Sequence, residues 1–124
     1  MSPVALVVDD SMLIRHTVCR YLEQRGFAVE SATNGKEALD MLKTVLPDVI
    51  ITDMMMPKMD GKELISKLRA MPQTAGIPVV VISGRNGIEG AESGANYIIY
   101  KDIGIENQLQ KALLQALGPE AFQN

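Results

Sequence analysis

The sequence has one cysteine, no long apolar run and no excess of positive charge. Its single thiol, Cys19, cannot form an internal disulfide, so a reducing compartment fits best. No apolar stretch approaches the ~20 residues of a membrane span, and the first residues lack the basic and apolar regions of a signal peptide. We therefore expect a cytoplasmic protein that is not inserted in a membrane. The net charge of −3 argues against a nucleic-acid-binding surface.

The chain does have enough apolar residues for a core, since 47% of its 124 residues are hydrophobic. This length predicts one domain that covers residues 1–124, without an internal repeat or linker. Short β-branched runs without polar alternation predict strands that are buried on both faces of a parallel sheet. The clearest runs are residues 4–8, 49–51 and 79–82.

Helix signals alternate with these strands. Ser11 is placed to cap a first helix that Gly26 ends, and Asn34 opens a second helix. Asp60, followed by Glu63, resembles a capping box ahead of a third helix. Two more strands are predicted, over residues 27–31 and 97–100. A last helix has an inner face formed by Leu109, Leu113, Ala116 and Leu117. The predicted order is βα, repeated five times.

Three carboxylates follow strands of this predicted sheet. Asp9 and Asp10 come directly after the first strand, and Asp53 closes the third. Because ligands of open α/β sheets bind outside the carboxyl ends of the strands, the three side chains converge if these strands are neighbours. Each pair of charges would then repel by about 4 kcal/mol, at ~4 Å and an effective dielectric constant of about 20. Either the pKa values rise or a cation joins the acids.

Four sequence features each lie at the carboxyl end of a predicted strand: Val7-Val8-Asp9-Asp10-Ser11, the loop from Asp53 to Gly61, Ser83-Gly84 and Lys101. Together they resemble the receiver domain of bacterial two-component response regulators. The likeness covers essentially the whole chain. It implies an α/β fold with a doubly wound, five-stranded parallel sheet in the flavodoxin-like order 2-1-3-4-5.

The resemblance also implies a phosphoacceptor site for phosphorelay signalling. Asp53 would attack the phosphoryl group of a phosphohistidine and become an aspartyl phosphate. Lys101 would pair with one phosphoryl oxygen, and the Ser83 hydroxyl would bond another. The implied partners are a sensor histidine kinase or a histidine phosphotransfer protein, together with a downstream partner whose binding is switched. Such a chain is not an enzyme acting on a separate substrate, because it catalyses only its own phosphorylation and dephosphorylation.

The implied cofactor is Mg²⁺, with Mn²⁺ as a possible substitute. By resemblance its ligands are Asp10, Asp53 and the backbone carbonyl of Met55, and Asp9 binds directly or through water. This oxygen set suits magnesium, which prefers octahedral oxygen coordination and keeps several waters. A copper site built from the methionines of residues 54–59 is disfavoured, because the resemblance assigns two of them to anchoring the loop.

The chain departs from the family pattern between the fourth and fifth strands. Residues 83–95 are thirteen positions, four of them glycine, and must supply a loop, a crossover helix and a second loop. A helix that runs back along a strand of roughly 17 Å needs about eleven residues. We therefore predict a fourth helix that is shortened to one or two turns near residues 88–93, or missing. The position three before Lys101, commonly aromatic in the family, is Ile98. Because of both departures, the sequence does not identify the surface through which the receiver would signal to a partner.

Two other functions are kept open. The same fold can serve as an interaction module that signals without phosphorylation, since a short crossover would leave the phosphorylated state little to move. A metal-dependent hydrolase with an aspartate nucleophile is less consistent, because such phosphatases usually show Asp-x-Asp after the first strand, and Val8-Asp9-Asp10 does not. The chain ends soon after its last predicted helix, which fits either a protein that acts alone or one domain of a longer regulator.

Overall fold

The computed structural model describes residues 2–84, 94–101 and 104–121. These residues form a five-stranded parallel sheet with helices on both faces. The strands are β1 (Val4–Val8), β2 (Ala28–Ala32), β3 (Val49–Asp53), β4 (Val79–Ser83) and β5 (Tyr97–Tyr100). The helices are α1 (Met12–Gln24), α2 (Gly35–Met41), α3 (Gly61–Ala70) and α4 (Ile105–Leu117), and a short 3-10 helix covers Pro119–Ala121.

The sheet order is β2-β1-β3-β4-β5, which confirms the predicted order 2-1-3-4-5. β1 and β3 are neighbours, and Val8 pairs with Thr52 near their carboxyl ends. The direction in which successive strands are added to the sheet reverses at this point, because β2 lies on one side of β1 and the later strands lie on the other. The residues that follow β1 and close β3 are therefore brought to the crevice where ligands of such sheets bind.

Two apolar layers enclose the sheet, one on each face. In β1, Ala5 and Val7 join the layer formed with α1 and α4, whereas Leu6 and Val8 join the layer formed with α2 and α3. This split follows from the two-residue period of a strand. All five residues of β3 and of β4 are buried. The prediction of central strands buried on both faces is confirmed.

The predicted helix starts are also confirmed. The Ser11 hydroxyl accepts from the Ile14 N–H at 3.3 Å, and the Asp60 carboxylate accepts from the Glu63 N–H at 2.9 Å. Asn34 caps α2 through its side-chain oxygen. Gly26, with φ of 91°, follows α1 in the left-handed conformation that favours glycine.

One predicted boundary differs from the structure, and one predicted helix falls outside the described residues. β2 begins one residue later than predicted, because the Phe27 N–H donates to the Leu22 carbonyl at 3.0 Å and completes the turn after α1. The predicted short or missing fourth helix, near residues 88–93, lies outside the described residues. Of the helices that the structure describes, none has the length and apolar character needed to cross a bilayer.

Candidate functional site

The three carboxylates that follow β1 and close β3 converge, as predicted. Asp9, Asp10 and Asp53 each offer an oxygen, and these oxygens lie within 4.8 Å of one another. Asp9 and Asp53 are buried, whereas Asp10 is exposed. Two buried acids and one at the rim therefore form a concentrated negative site at the carboxyl edge of the sheet.

Asp9 is the most deeply buried member of this cluster. Its Oδ1 accepts from the Ser11 N–H at 2.8 Å, while its Oδ2 has no hydrogen-bond partner among the described residues. Burial raises the pKa of Asp9 from 3.8 to about 6; the Ser11 N–H opposes this rise and the charge of Asp53 adds to it. A buried carboxylate oxygen without a partner is unusual, and a hard cation is one group that satisfies it. The residues present thus fit Mg²⁺.

Lys101 supplies a positive charge beside this acidic cluster. Its Nζ lies 3.0 Å from Asp53 Oδ1, and the side chains are 35% and 4% exposed, respectively. The Lys101 N–H donates to the Ser83 carbonyl at 3.1 Å, which fixes the lysine backbone against the end of β4. The structure therefore brings Asp53 and Lys101 together, although one ends β3 and the other follows β5.

Ser83 and Met55 flank the pair. Ser83 is the last residue of β4 and is buried, and it pairs in register with Tyr100, immediately before Lys101. Met55 follows β3 closely in the chain, and its side chain points to solvent, with 66% of the residue exposed. The roles predicted for the Ser83 hydroxyl and the Met55 carbonyl stay predictions.

For three residues that support the site, the sequence did not predict the supporting role. The guanidinium of Arg15 donates to the Asp9 carbonyl at 2.8 Å, and the Thr52 hydroxyl donates to the Asp53 carbonyl at 2.9 Å. At Gly61, a Cβ atom would lie 2.5 Å from the Asp53 carbonyl oxygen, so a side chain would collide with backbone. Only the glycine carried a sequence signal, because it follows the capping residue of α3, but its close approach depends on the tertiary fold.

The arrangement can stabilise a transferred phosphoryl group. Phosphoryl transfer needs little covalent chemistry from a protein, because catalysis consists mainly of positioning and of charge stabilisation. The cluster combines a buried carboxylate, a paired ammonium group and acidic oxygens suited to a divalent cation.

The family model of the response regulator receiver domain matches residues 5–114. The chain belongs to the response regulator receiver family. Receiver domains of this family are signalling modules of two-component phosphorelays, and they interact with histidine kinases and downstream effectors. The match covers β2 to β5 completely, all of β1 except its first residue, Val4, and most of α4.

Individual relatives agree with the family assignment. The response regulator MprA of Mycobacterium bovis (strain BCG / Pasteur 1173P2) is 36% identical over 126 residues, which cover 97% of this chain and 54% of MprA. MprA of Mycobacterium avium (strain 104) is 36% identical over 121 residues, which cover 93% of the chain and 52% of MprA. The chain thus spans about half the length of the curated relatives it matches.

Solved receiver structures share the fold. The chemotaxis response regulator CheY4 of Vibrio cholerae is 32% identical, with a TM-score of 0.83 over 94% of this chain and 100% of that one. The signal receiver domain of a histidine kinase from Syntrophus aciditrophicus is 31% identical, with a TM-score of 0.86 over 94% of this chain and 90% of that one. This receiver therefore has the five-stranded fold of its structural neighbours.

Proposed function

We propose that this receiver accepts a phosphoryl group on Asp53 from a phosphohistidine of a sensor histidine kinase or a histidine phosphotransfer protein. A carboxylate oxygen of Asp53 forms the new P–O bond while the P–N bond to the imidazole breaks. The electron pair of that bond leaves with the imidazole nitrogen, which is then protonated. The surroundings of Asp53 carry the proposal. This carboxylate is buried, its oxygen lies 3.0 Å from the Lys101 ammonium, and it shares a cluster with two further acids.

Asp9, Asp10 and Asp53 would hold Mg²⁺, with the backbone carbonyl of Met55 as a further oxygen ligand. When bound, the ion would supply positive charge against the acids and the incoming phosphoryl oxygens. The unpartnered Oδ2 of buried Asp9 supports this assignment, because a cation would satisfy it. Mn²⁺ also accepts oxygen ligands in octahedral geometry, so we expect it to substitute.

Lys101 and Ser83 would bind the transferred group. The Lys101 ammonium, already 3.0 Å from an Asp53 oxygen, would pair with a phosphoryl oxygen once Asp53 is modified. The Ser83 hydroxyl would donate a hydrogen bond to another phosphoryl oxygen. The acyl phosphate would thereby favour one of two conformations and switch the binding of a downstream partner.

The proposal includes the organisation and location of the chain. Residues 1–124 would act as one receiver domain; the family match over residues 5–114 and a single sheet that contains every described strand support this. Its chemistry would be limited to its own phosphorylation and dephosphorylation. A cytoplasmic location would fit its single cysteine.

Incubation with Mg²⁺ and a small donor, acetyl phosphate or phosphoramidate, tests the proposal by intact mass spectrometry. The wild-type chain should gain one phosphoryl group, and Asp53→Asn should gain none. Asp60→Asn is the matched control: Asp60 is an exposed acid that caps α3, and asparagine also caps helices. Equal labelling of Asp53→Asn and the wild type would overturn the assignment. No labelling by either donor, despite bound Mg²⁺, would favour the phosphorylation-independent interaction module.

A further inference from the structure

The strand that leads to Lys101 lies at the edge of the sheet. In the described part of the chain, β5 is the outer strand and pairs with β4 on one side. The outer side of an edge strand presents backbone N–H and C=O groups that no neighbouring strand satisfies. The position of Lys101 therefore depends on which groups bond the outer side of β5 at its carboxyl end.

A side-chain amide holds that free side at Tyr100, the residue before Lys101. The Tyr100 N–H donates to Gln108 Oε1 at 2.9 Å, and Gln108 Nε2 donates to the Tyr100 carbonyl at 2.9 Å. Gln108 thus bonds both backbone groups of one residue, as the backbone of a neighbouring strand would. Its Nε2 also lies 3.4 Å from the Gly104 carbonyl, on the far side of Lys101 in the chain.

The two sides of the strand end are held by different elements. The Lys101 N–H donates inward to the Ser83 carbonyl of β4 at 3.1 Å, whereas Tyr100 is bonded outward by Gln108 of α4. The helix that carries Gln108 is fixed against the core, because Leu109 and, one turn later, Leu113 are fully buried there. The backbone that carries Lys101 is therefore fixed between β4 and α4.

We propose that Gln108 is a positioning residue for Lys101. By bonding Tyr100 from the outer side, it fixes the backbone from which the lysine side chain reaches Asp53 at 3.0 Å. This inference rests on the proposed function, in which Lys101 acts on the phosphoryl group. In this proposal Gln108 acts through Lys101 and not on the phosphoryl group directly.

The kinetic test is Gln108→Leu, which removes both bonds to Tyr100 and keeps a bulky side chain. The rate constant of phosphorylation by phosphoramidate should fall about tenfold, the loss expected from two hydrogen bonds that orient a reacting group. Mg²⁺ binding, measured by calorimetry, should be retained, because the acids are not displaced. Gln110→Leu, an exposed position on the same helix, is the matched control and should keep the wild-type rate. An unchanged rate in Gln108→Leu would overturn the proposal.

A double-mutant cycle separates positioning from a general structural role. In a Lys101→Ala background, Gln108→Leu should cause no further loss of rate, because the residue through which it acts is gone. An equal tenfold loss in both backgrounds would overturn the proposal. Gln108→Glu keeps the acceptor for the Tyr100 N–H but turns an oxygen toward the Tyr100 carbonyl, so its rate should lie between those of the wild type and Gln108→Leu.

A second readout does not require phosphorylation, so it distinguishes failure of this inference from failure of the proposed function. The same cycle is measured in the urea midpoint of the metal-free protein. If Gln108 holds Lys101 against Asp53, the midpoint shifts of Lys101→Ala and Gln108→Leu should be clearly non-additive. Additive shifts would contradict positioning, even if Asp53 is phosphorylated. Non-additive shifts in a protein that no donor phosphorylates would support positioning and contradict the proposed function alone.

Discussion

The Nζ atom of Lys101 lies 3.0 Å from Oδ1 of Asp53, and the ion pair joins the end of β5 to the end of β3 across β4. The two partners differ in exposure, since the lysine side chain is 35% exposed and the aspartate side chain is 4% exposed. Water can solvate the ammonium group but hardly reaches the carboxylate. Loss of the ion pair should therefore cost more free energy at Asp53, which water cannot solvate, than at Lys101.

Lys101→Ala should destabilise the metal-free protein, because it leaves a buried carboxylate without its ion-pair partner. We expect a loss of about 1 to 2 kcal/mol in the free energy of unfolding, which allows for the partial exposure of the lysine. Lys43→Ala is the control: its ion pair with Asp40 spans 3.4 Å between side chains that are 76% and 68% exposed, and it should change stability by less than about 0.5 kcal/mol. Urea denaturation in EDTA measures both, and equal losses would refute the argument.

The stability of the metal-free protein should depend on pH through Asp9. Its folded pKa, about 6, is raised above the ordinary value of 3.8. Between these two values the unfolded chain gives up the Asp9 proton while the folded chain keeps it, so ionisation favours unfolding. Relative to Asp9→Asn, the wild type should therefore lose stability as pH rises from about 4 to about 6 and remain constant above that range. Parallel pH profiles of the two proteins would contradict this.

Magnesium should raise the melting temperature, because an ion that binds the folded acids but not the unfolded chain stabilises by linkage. At ten times its Kd the expected gain is about 1.4 kcal/mol. Asp10→Asn should reduce this gain and raise the melting temperature of the metal-free protein slightly, since it removes one charge from the cluster. Calorimetry with and without Mg²⁺ measures both effects, with Asp60→Asn as the control. A lower metal-free melting temperature in Asp10→Asn would show that the acids are not electrostatically coupled.

Gly61→Ala should disturb the site through packing. A Cβ at this position would lie 2.5 Å from the Asp53 carbonyl oxygen and 3.0 Å from Met54 Cα, and neither backbone atom can yield cheaply. We expect a loss of about 1 to 3 kcal/mol in stability and slower phosphorylation. Gly76→Ala is the control, because a Cβ there meets nothing within 4 Å. The same small effect for both substitutions, by urea denaturation, would show that β3 and α3 are not in close contact.

Local signals made most of the fold predictable. The apolar runs of β1, β3 and β4 and the caps at Ser11 and Asp60 depend on neighbours in the chain, and the structure confirms them. The strand order required the family resemblance, because apolar runs do not state which strands pair. The start of β2 was misplaced by one residue, since a backbone bond from Phe27 to Leu22 extends the turn after α1.

The acids of the site could be predicted because each follows a recognisable strand. Their supporting residues could not, because Arg15, Gly61 and Gln108 act through contacts that only the tertiary fold creates. In the sequence, Gln108 is simply a polar residue of an amphipathic helix. Its bonds to Tyr100 exist because Leu109 and Leu113 fix α4 beside the edge of the sheet.

Chemical mapping of the phosphorylated residue decides whether Asp53 is the phosphoacceptor. After reaction with phosphoramidate and Mg²⁺, borohydride reduces an aspartyl phosphate to a homoserine that peptide mass spectrometry can locate. We expect this mark at Asp53, and in no other peptide. A mark at another acid and none at Asp53 would contradict the assignment of Asp53 as the phosphoacceptor. So would a phosphoryl group found only on His16, the single histidine of the chain, which is exposed.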